Sequence, residues 1–244
     1  MRALPLTLAT CLSLVGCGSD NSLSPVRSPG DSKTGGTAAL EAGAAVLQDK
    51  PPVDAINAYL DGFHFYNGRI GMQMEAHHYC SILNDELIQC VIFDGNTGSA
   101  KLTGVEYIIS ERLFKTLPSG EKPLWHSHVH EVKSGQLIAP GIPEAAEHAL
   151  MKRLVGTYGK TFHTWHTDMQ DQLPLGVPQV MMGFTSDKQV DPAMVSARDQ
   201  RFGVSTEDRR HKRADIATPP IAEGADAWLH GQIVQIDDPT RASR

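Results

Sequence analysis

The chain has 244 residues, 41% of them apolar and 20% charged, with a formal charge of −6. That length suits one large domain or two small ones, and the mildly acidic balance gives no electrostatic footprint for nucleic acid. The short basic run Arg209 to Arg213 stands beside Glu207, Asp208 and Asp215, so it reads as a solvated helix face.

The chain opens with Arg2 and a short, mostly apolar run from Leu4 to Val15, too short to span a bilayer as a mature helix and suited to an export signal. Leu14-Val15-Gly16-Cys17 follows and resembles the lipobox of bacterial lipoproteins. The resemblance implies a signal peptide over 1–16 and a Cys17 that is acylated after cleavage. Several buried acyl chains make a durable membrane anchor. Gly18 stands where an inner-membrane retention signal carries Asp, which favours the periplasmic face of the outer membrane. Residues 17–50 then read as the lipidated cysteine and a flexible tether, because Gly, Ser, Asp, Asn and Pro bury too little apolar surface to offset ordering. A short helix over 38–48 is weakened by Gly43.

The folded domain is expected over 51–216, with 217–244 as a C-terminal tail. Ile56, Tyr59, Leu60 and Phe63 recur at helical spacing behind Asp54, which predicts a helix over 54–63. His64 at its end is explained by the helix C-terminus. Loose alternation over 72–82, an apolar run over 87–93 and a third segment over 101–109 are separated by turn-forming residues, which predicts an antiparallel meander. A turn near Asp85 sets Cys80 opposite Cys90. In an exported chain that pair makes a credible cross-strand disulfide, with two buried free thiols as the alternative. Helices are expected from Ser110, from Pro143 to Tyr158, after Asp191-Pro192 and after Ser205. The expected fold class is α+β, a mainly antiparallel sheet with flanking helices in a single domain.

The chemistry concentrates in Trp125-His126-Ser127-His128-Val129-His130-Glu131. On a strand, His126, His128 and His130 share one face, about 7 Å between successive residues; on a helix, His126 and His130 share one instead. Either geometry offers a pair of imidazoles to one metal ion. His77 and His78 point to opposite faces of a strand, as do His163 and His166, so at most one of each couple serves a given site. The candidate ligand set is therefore His126 and His128 with His77, His78 or His163, and Glu131 as a further ligand or a general base. Two histidines and a carboxylate suit zinc or non-haem iron as a single divalent cofactor. The spacing matches neither H-E-x-x-H nor a zinc-finger pattern.

His77-His-Tyr-Cys80, Gly104 to Phe114, Leu124 to His128, Glu131 to Gly135, Tyr158 to Thr161, Leu173 to Gly176 and Arg201-x-Gly203-Val-Ser-Thr206 together resemble one family. It is a domain of unknown function that includes the plant oil-body-associated proteins. The resemblance spans roughly 53–216 and implies, for the plant members, association with lipid droplets and a role in their stability, with no catalytic residues to carry over. Two functions follow as expectations. The first is a membrane-tethered envelope domain that binds lipid or an envelope protein and carries a histidine-lined pocket. The second is a metal-dependent hydrolase or oxygenase built on the His126/His128 strand.

Overall fold

The structure, a computed structural model, describes residues 21–238; the signal segment and Cys17 lie outside the described residues. Among the described residues, seven strands run in chain order: β1 (Ala58–Tyr66), β2 (Arg69–Asn84), β3 (Leu87–Phe93), β4 (Leu102–Ser110), β5 (His126–Ser127), β6 (Thr157–His163) and β7 (Gln179–Met182). β1 to β4 form an antiparallel meander. β4 then pairs with β6, β6 with β7, and β7 returns to β1, while β5 borders the first half of β6. The result is a closed six-stranded antiparallel barrel with a few short helices, which corrects the α+β expectation of a mainly antiparallel sheet with flanking helices. The ladder that closes it joins Gly104–Ser110 to Thr157–His163 across a long separation, and nothing in the local pattern of either segment declares that partner. Closure joins the edges of the sheet and leaves only the two-residue β5 at an end of the strand order.

The helices are α1 (Gly35–Leu47), α2 (Pro51–Asp54), α3 (Glu111–Lys115), α4 (Val129–Ser134), α5 (Glu144–Leu154), α6 (Pro192–Phe202) and α7 (Thr206–Lys212). Ser110, Asp191 and Ser205 cap α3, α6 and α7 with side-chain oxygens that accept backbone N–H bonds. The helix expected over 54–63 is absent; α2 ends at Asp54 and β1 begins at Ala58. Both faces of β1 are buried, so its apolar residues carry no period-two signature, and their helical spacing is a coincidence. Phe63 and Phe65 pack outward against Val180, Met182 and Phe184.

Leu60, Gly62 and His64 alternate with those residues and face inward. The barrel interior is layered. Leu60, Cys80, Cys90 and Ile108 form one apolar end, closed by Val132 of α4 and by Met151 and Leu154 of α5. Tyr66, Met74 and Met181 form the other. Cys80 and Cys90 face each other across β2 and β3, joined by a disulfide with their Cα atoms 4.0 Å apart. Between the two apolar ends lies a polar layer.

Candidate functional site

The polar layer is made by residues of alternating parity on five elements. His64 comes from β1, His78 from β2, Glu106 from β4, His163 from β6 and His126 from β5; all are buried. The segment 125–131 is not the extended strand of the first expectation. Only His126 and Ser127 pair with β6, and the chain turns into α4 at His128. That turn points His126 and His128 into the same space and brings Glu131, in the first turn of α4, in beside them. His130 faces away, toward Gln136 and Asp187. A side chain at Gly159 would strike Glu106 and His126, and one at Gly183 would strike Glu131, so both glycines are required by the close approach of the cluster.

Glu106 sits at the centre. His78 Nε2 lies 2.9 Å from its Oε2, and His126 Nε2 and His128 Nε2 each lie 3.3 Å from its Oε1. Glu131 Oε2 is 3.9 Å from His126 Nε2. His64 Nδ1 and His163 Nε2 approach to 3.4 Å on the adjoining side. The outer nitrogens of two rings fix their tautomers. The Thr157 hydroxyl donates to the Leu154 carbonyl (2.7 Å), so its oxygen accepts from His128 Nδ1 (2.8 Å). The Ala76 carbonyl likewise accepts from His78 Nδ1 (3.0 Å). In the neutral imidazole each Nε2 is then a bare lone pair aimed at a carboxylate. Two acceptors held that close require a proton or a cation between them. His78 Nε2, both nitrogens of His126, His163 Nδ1 and Glu131 Oε2 are buried without a hydrogen-bond partner. An unsatisfied buried polar atom costs about 1–3 kcal/mol.

The electrostatics follow from burial and mutual contact. Burial opposes ionisation of Glu106, but the close approach of His126, His128 and His78 outweighs it and holds its carboxyl well below the usual range. Burial, then the charges of Glu106 and Asp226, push Glu131 well above that range. Burial and neighbouring imidazoles hold His64 far below its ordinary value and His163 down at about 3. Burial lowers His126 too, with Glu106 opposing. A cavity of about 10 Å³ beside these groups is lined by His64, His78, Glu106, His128 and Glu131 together with Leu60, Ile108, Leu137 and Leu154. That is room for one ion or one water; among the described residues no lysine or arginine lines it. Two donor sets have ligand atoms within 4.8 Å of one another, His64–Glu106–His126 and His126–His128–Glu131, and His126 belongs to both.

Of the residues singled out from sequence, His126, His128, His78, His163 and Glu131 converge here. His77 does not. It faces the outside of β2, where Asp61 Oδ2 lies 3.0 Å from its Nδ1 and Glu75 Oε1 lies 3.5 Å from its Nε2. His166 bonds Tyr66 instead. Sequence reasoning missed His64 and Glu106. Once β1 is read as a strand, His64 shares the parity of Leu60, and Glu106 shares that of Ile108; those were the available signals.

A closed antiparallel barrel with a buried histidine–glutamate layer is the class of protein that fold and site define. The chain belongs to the family described as "Protein of unknown function (DUF1264)", which it matches over residues 50–217. It is 42% identical over 214 residues to oil body-associated protein 1B of Arabidopsis thaliana, covering 86% of this chain and 89% of that one. It is 42% identical over 219 residues to oil body-associated protein 1A of Zea mays, covering 88% and 92%, and 38% identical over 213 residues to oil body-associated protein 2C of Arabidopsis thaliana, covering 86% and 90%. No solved structure matches the chain.

Proposed function

We propose that this protein is a lipid-anchored domain of the bacterial envelope whose barrel core holds one divalent transition metal, zinc or iron. The observation that carries the metal is the set of bare nitrogens around Glu106, with His78 and His128 locked in the ligating tautomer by Ala76 and Thr157. Such outer hydrogen bonds are how proteins orient metal-bound imidazole. His126 is the central ligand, since it joins both donor sets. A divalent ion also balances the charge of Glu106, in a cavity that no lysine or arginine among the described residues lines.

Two histidines with a carboxylate leave coordination positions open, as catalytic zinc and non-haem iron require, and Glu131 beside them suits a general base. That supports a second, enzymatic reading. A cavity of about 10 Å³ restricts any reactant there to something near the size of water. It is no pocket for a lipid. The named association of the plant relatives with oil bodies belongs to those proteins; in this chain the lipobox-like Leu14-Val15-Gly16-Cys17 supports a membrane address of its own, on the periplasmic face of the outer membrane.

The test is elemental analysis of the full-length protein, purified without a chelating column or tag, with mass spectrometry of the peptide that begins at Cys17. We expect close to one metal per chain, lost on His126→Ala while circular dichroism is retained, and an acylated Cys17. A folded, metal-free protein that takes up no added Zn, Fe, Mn or Cu would end the metal reading. An unmodified Cys17 would end the anchor.

A further inference from the structure

The segment just after Cys17 is held against one end of the barrel. Ser22 N donates to Asn96 Oδ1 (2.7 Å), Asn96 N donates back to the Ser22 carbonyl (3.0 Å), and Ser24 Oγ donates to Asp94 Oδ2 (2.7 Å). Val26 is buried. A side chain at Gly95 would collide with the Ser22 carbonyl, so the β3–β4 turn is shaped for this contact. Cys17 precedes Ser22 by five residues, which span at most about 18 Å when fully extended. An anchor at Cys17 therefore keeps the Asp94–Asn96 end of the barrel close to the bilayer surface.

That same end carries an apolar groove of about 350 Å³ along the outer face of β2 and β3, lined by Val53, Ile56, Tyr79, Phe93, Gly95 and Ala100 among others. Tyr79 meets the Phe93 ring edge-on and stacks on Tyr59, which makes one wall aromatic. At the rim Leu23 and Val53 are exposed at 70% and 60%, and the Leu23 backbone adjoins Gly95. Ligand pockets of this size usually add a few convergent polar groups; this lining contains no charged residue. The strands beneath are paired on both edges, so the groove offers no backbone ladder to a peptide.

We propose that this groove takes an acyl chain of a lipid in the membrane to which Cys17 anchors the domain. The proposal rests on the lipid-anchor reading and is independent of the metal. To test it, the full-length protein carrying Phe93→Trp is reconstituted into phosphatidylethanolamine–phosphatidylglycerol vesicles, with or without bromine at the middle of the acyl chains. Bromine quenches a tryptophan only at contact range, so mere proximity to the surface is not enough. The expected result is loss of the emission that Trp at position 93 adds over the wild type, and recovery of that emission in Val53→Asp. Unchanged emission from protein that floats with the vesicles would overturn the groove proposal and leave the anchor standing. Protein that neither floats nor carries an acylated Cys17 would overturn the anchor, and the groove proposal with it. If Phe93→Trp fails to fold by circular dichroism, Ala100→Trp reports from the same groove with the same two outcomes.

Discussion

His77 and His78 are neighbours in sequence and enter two different clusters, one on each side of the barrel wall. Each cluster holds two carboxylates. On the outer side, Asp61 is paired with Arg198 (3.0 Å) and Glu75 with Arg201, and His77 sits between the acids. Arg198 is wholly buried, stacks on Phe63 and also donates to the Gln136 carbonyl. The outer cluster is therefore neutralised by the chain itself. The inner cluster has Glu106, Glu131 and five imidazoles, yet no lysine or arginine among the described residues lines it. Buried charge must be paired or coordinated. Residue type alone would rank both clusters as metal sites, and Asp61, Glu75 and His77 do lie within coordinating reach of one another. The cations tell them apart: the outer site has its own, and the inner one lacks them.

That comparison breaks most sharply at Arg198. Arg198→Met removes one partner of a buried pair, which typically costs about 3–5 kcal/mol, and it should leave the metal content untouched. Urea unfolding together with elemental analysis reads both; a variant that also loses its metal would mean that the clusters are one unit. The adjacent histidines come next. His78→Ala removes a ligand and should weaken metal binding by more than the roughly 10–100-fold that loss of an outer hydrogen-bond partner costs, whereas His77→Ala should leave affinity unchanged and lower only stability. Equal losses of affinity in both variants would refute the assignment of sides. Thr157→Val takes away the acceptor that fixes the His128 tautomer and leaves the ring in place. Its expected loss lies at the low end, about 10-fold, with circular dichroism unchanged; a competition titration against a chromophoric chelator would detect it.

Much of this was legible in sequence. The meander showed itself through turn residues at Asn84–Asp85 and Asp94–Gly98, and helix starts at Ser110, Asp191 and Ser205 through their capping side chains. His126, His128, His78, His163 and Glu131 were found from type and spacing, although two of them reach the core by a strand-to-helix turn and not by strand alternation. What stayed hidden was long-range. Barrel closure depends on the ladder between Gly104–Ser110 and Thr157–His163, which no window of sequence contains. Because β1 is buried on both faces, its pattern mimicked a helix and masked His64. Glu106 stands alone among apolar neighbours on β4, and only the barrel reveals that its parity points inward.

The smallest effect concerns Glu75 and is read as a slope in pH. Burial raises its pKa from the ordinary 4.5 to about 7, with the Asp61 charge adding to the rise and Arg201 opposing it. The folded chain therefore binds this proton more tightly than the unfolded chain does. The resulting stability is fully present below the unfolded value and is lost as pH rises through the folded one. Wild-type stability should decline between about pH 5 and pH 7 relative to Glu75→Gln, whose amide cannot titrate, and the two should run parallel above that window. Urea midpoints measured across that range supply the comparison. A constant difference would mean that Glu75 stays ionised throughout, held by Arg201 against burial and Asp61. The same slope should appear in metal-loaded and chelator-treated protein, since His77 and His78 place the two clusters on opposite sides of β2. A slope that changes with metal would show the wall between them to be electrically thin.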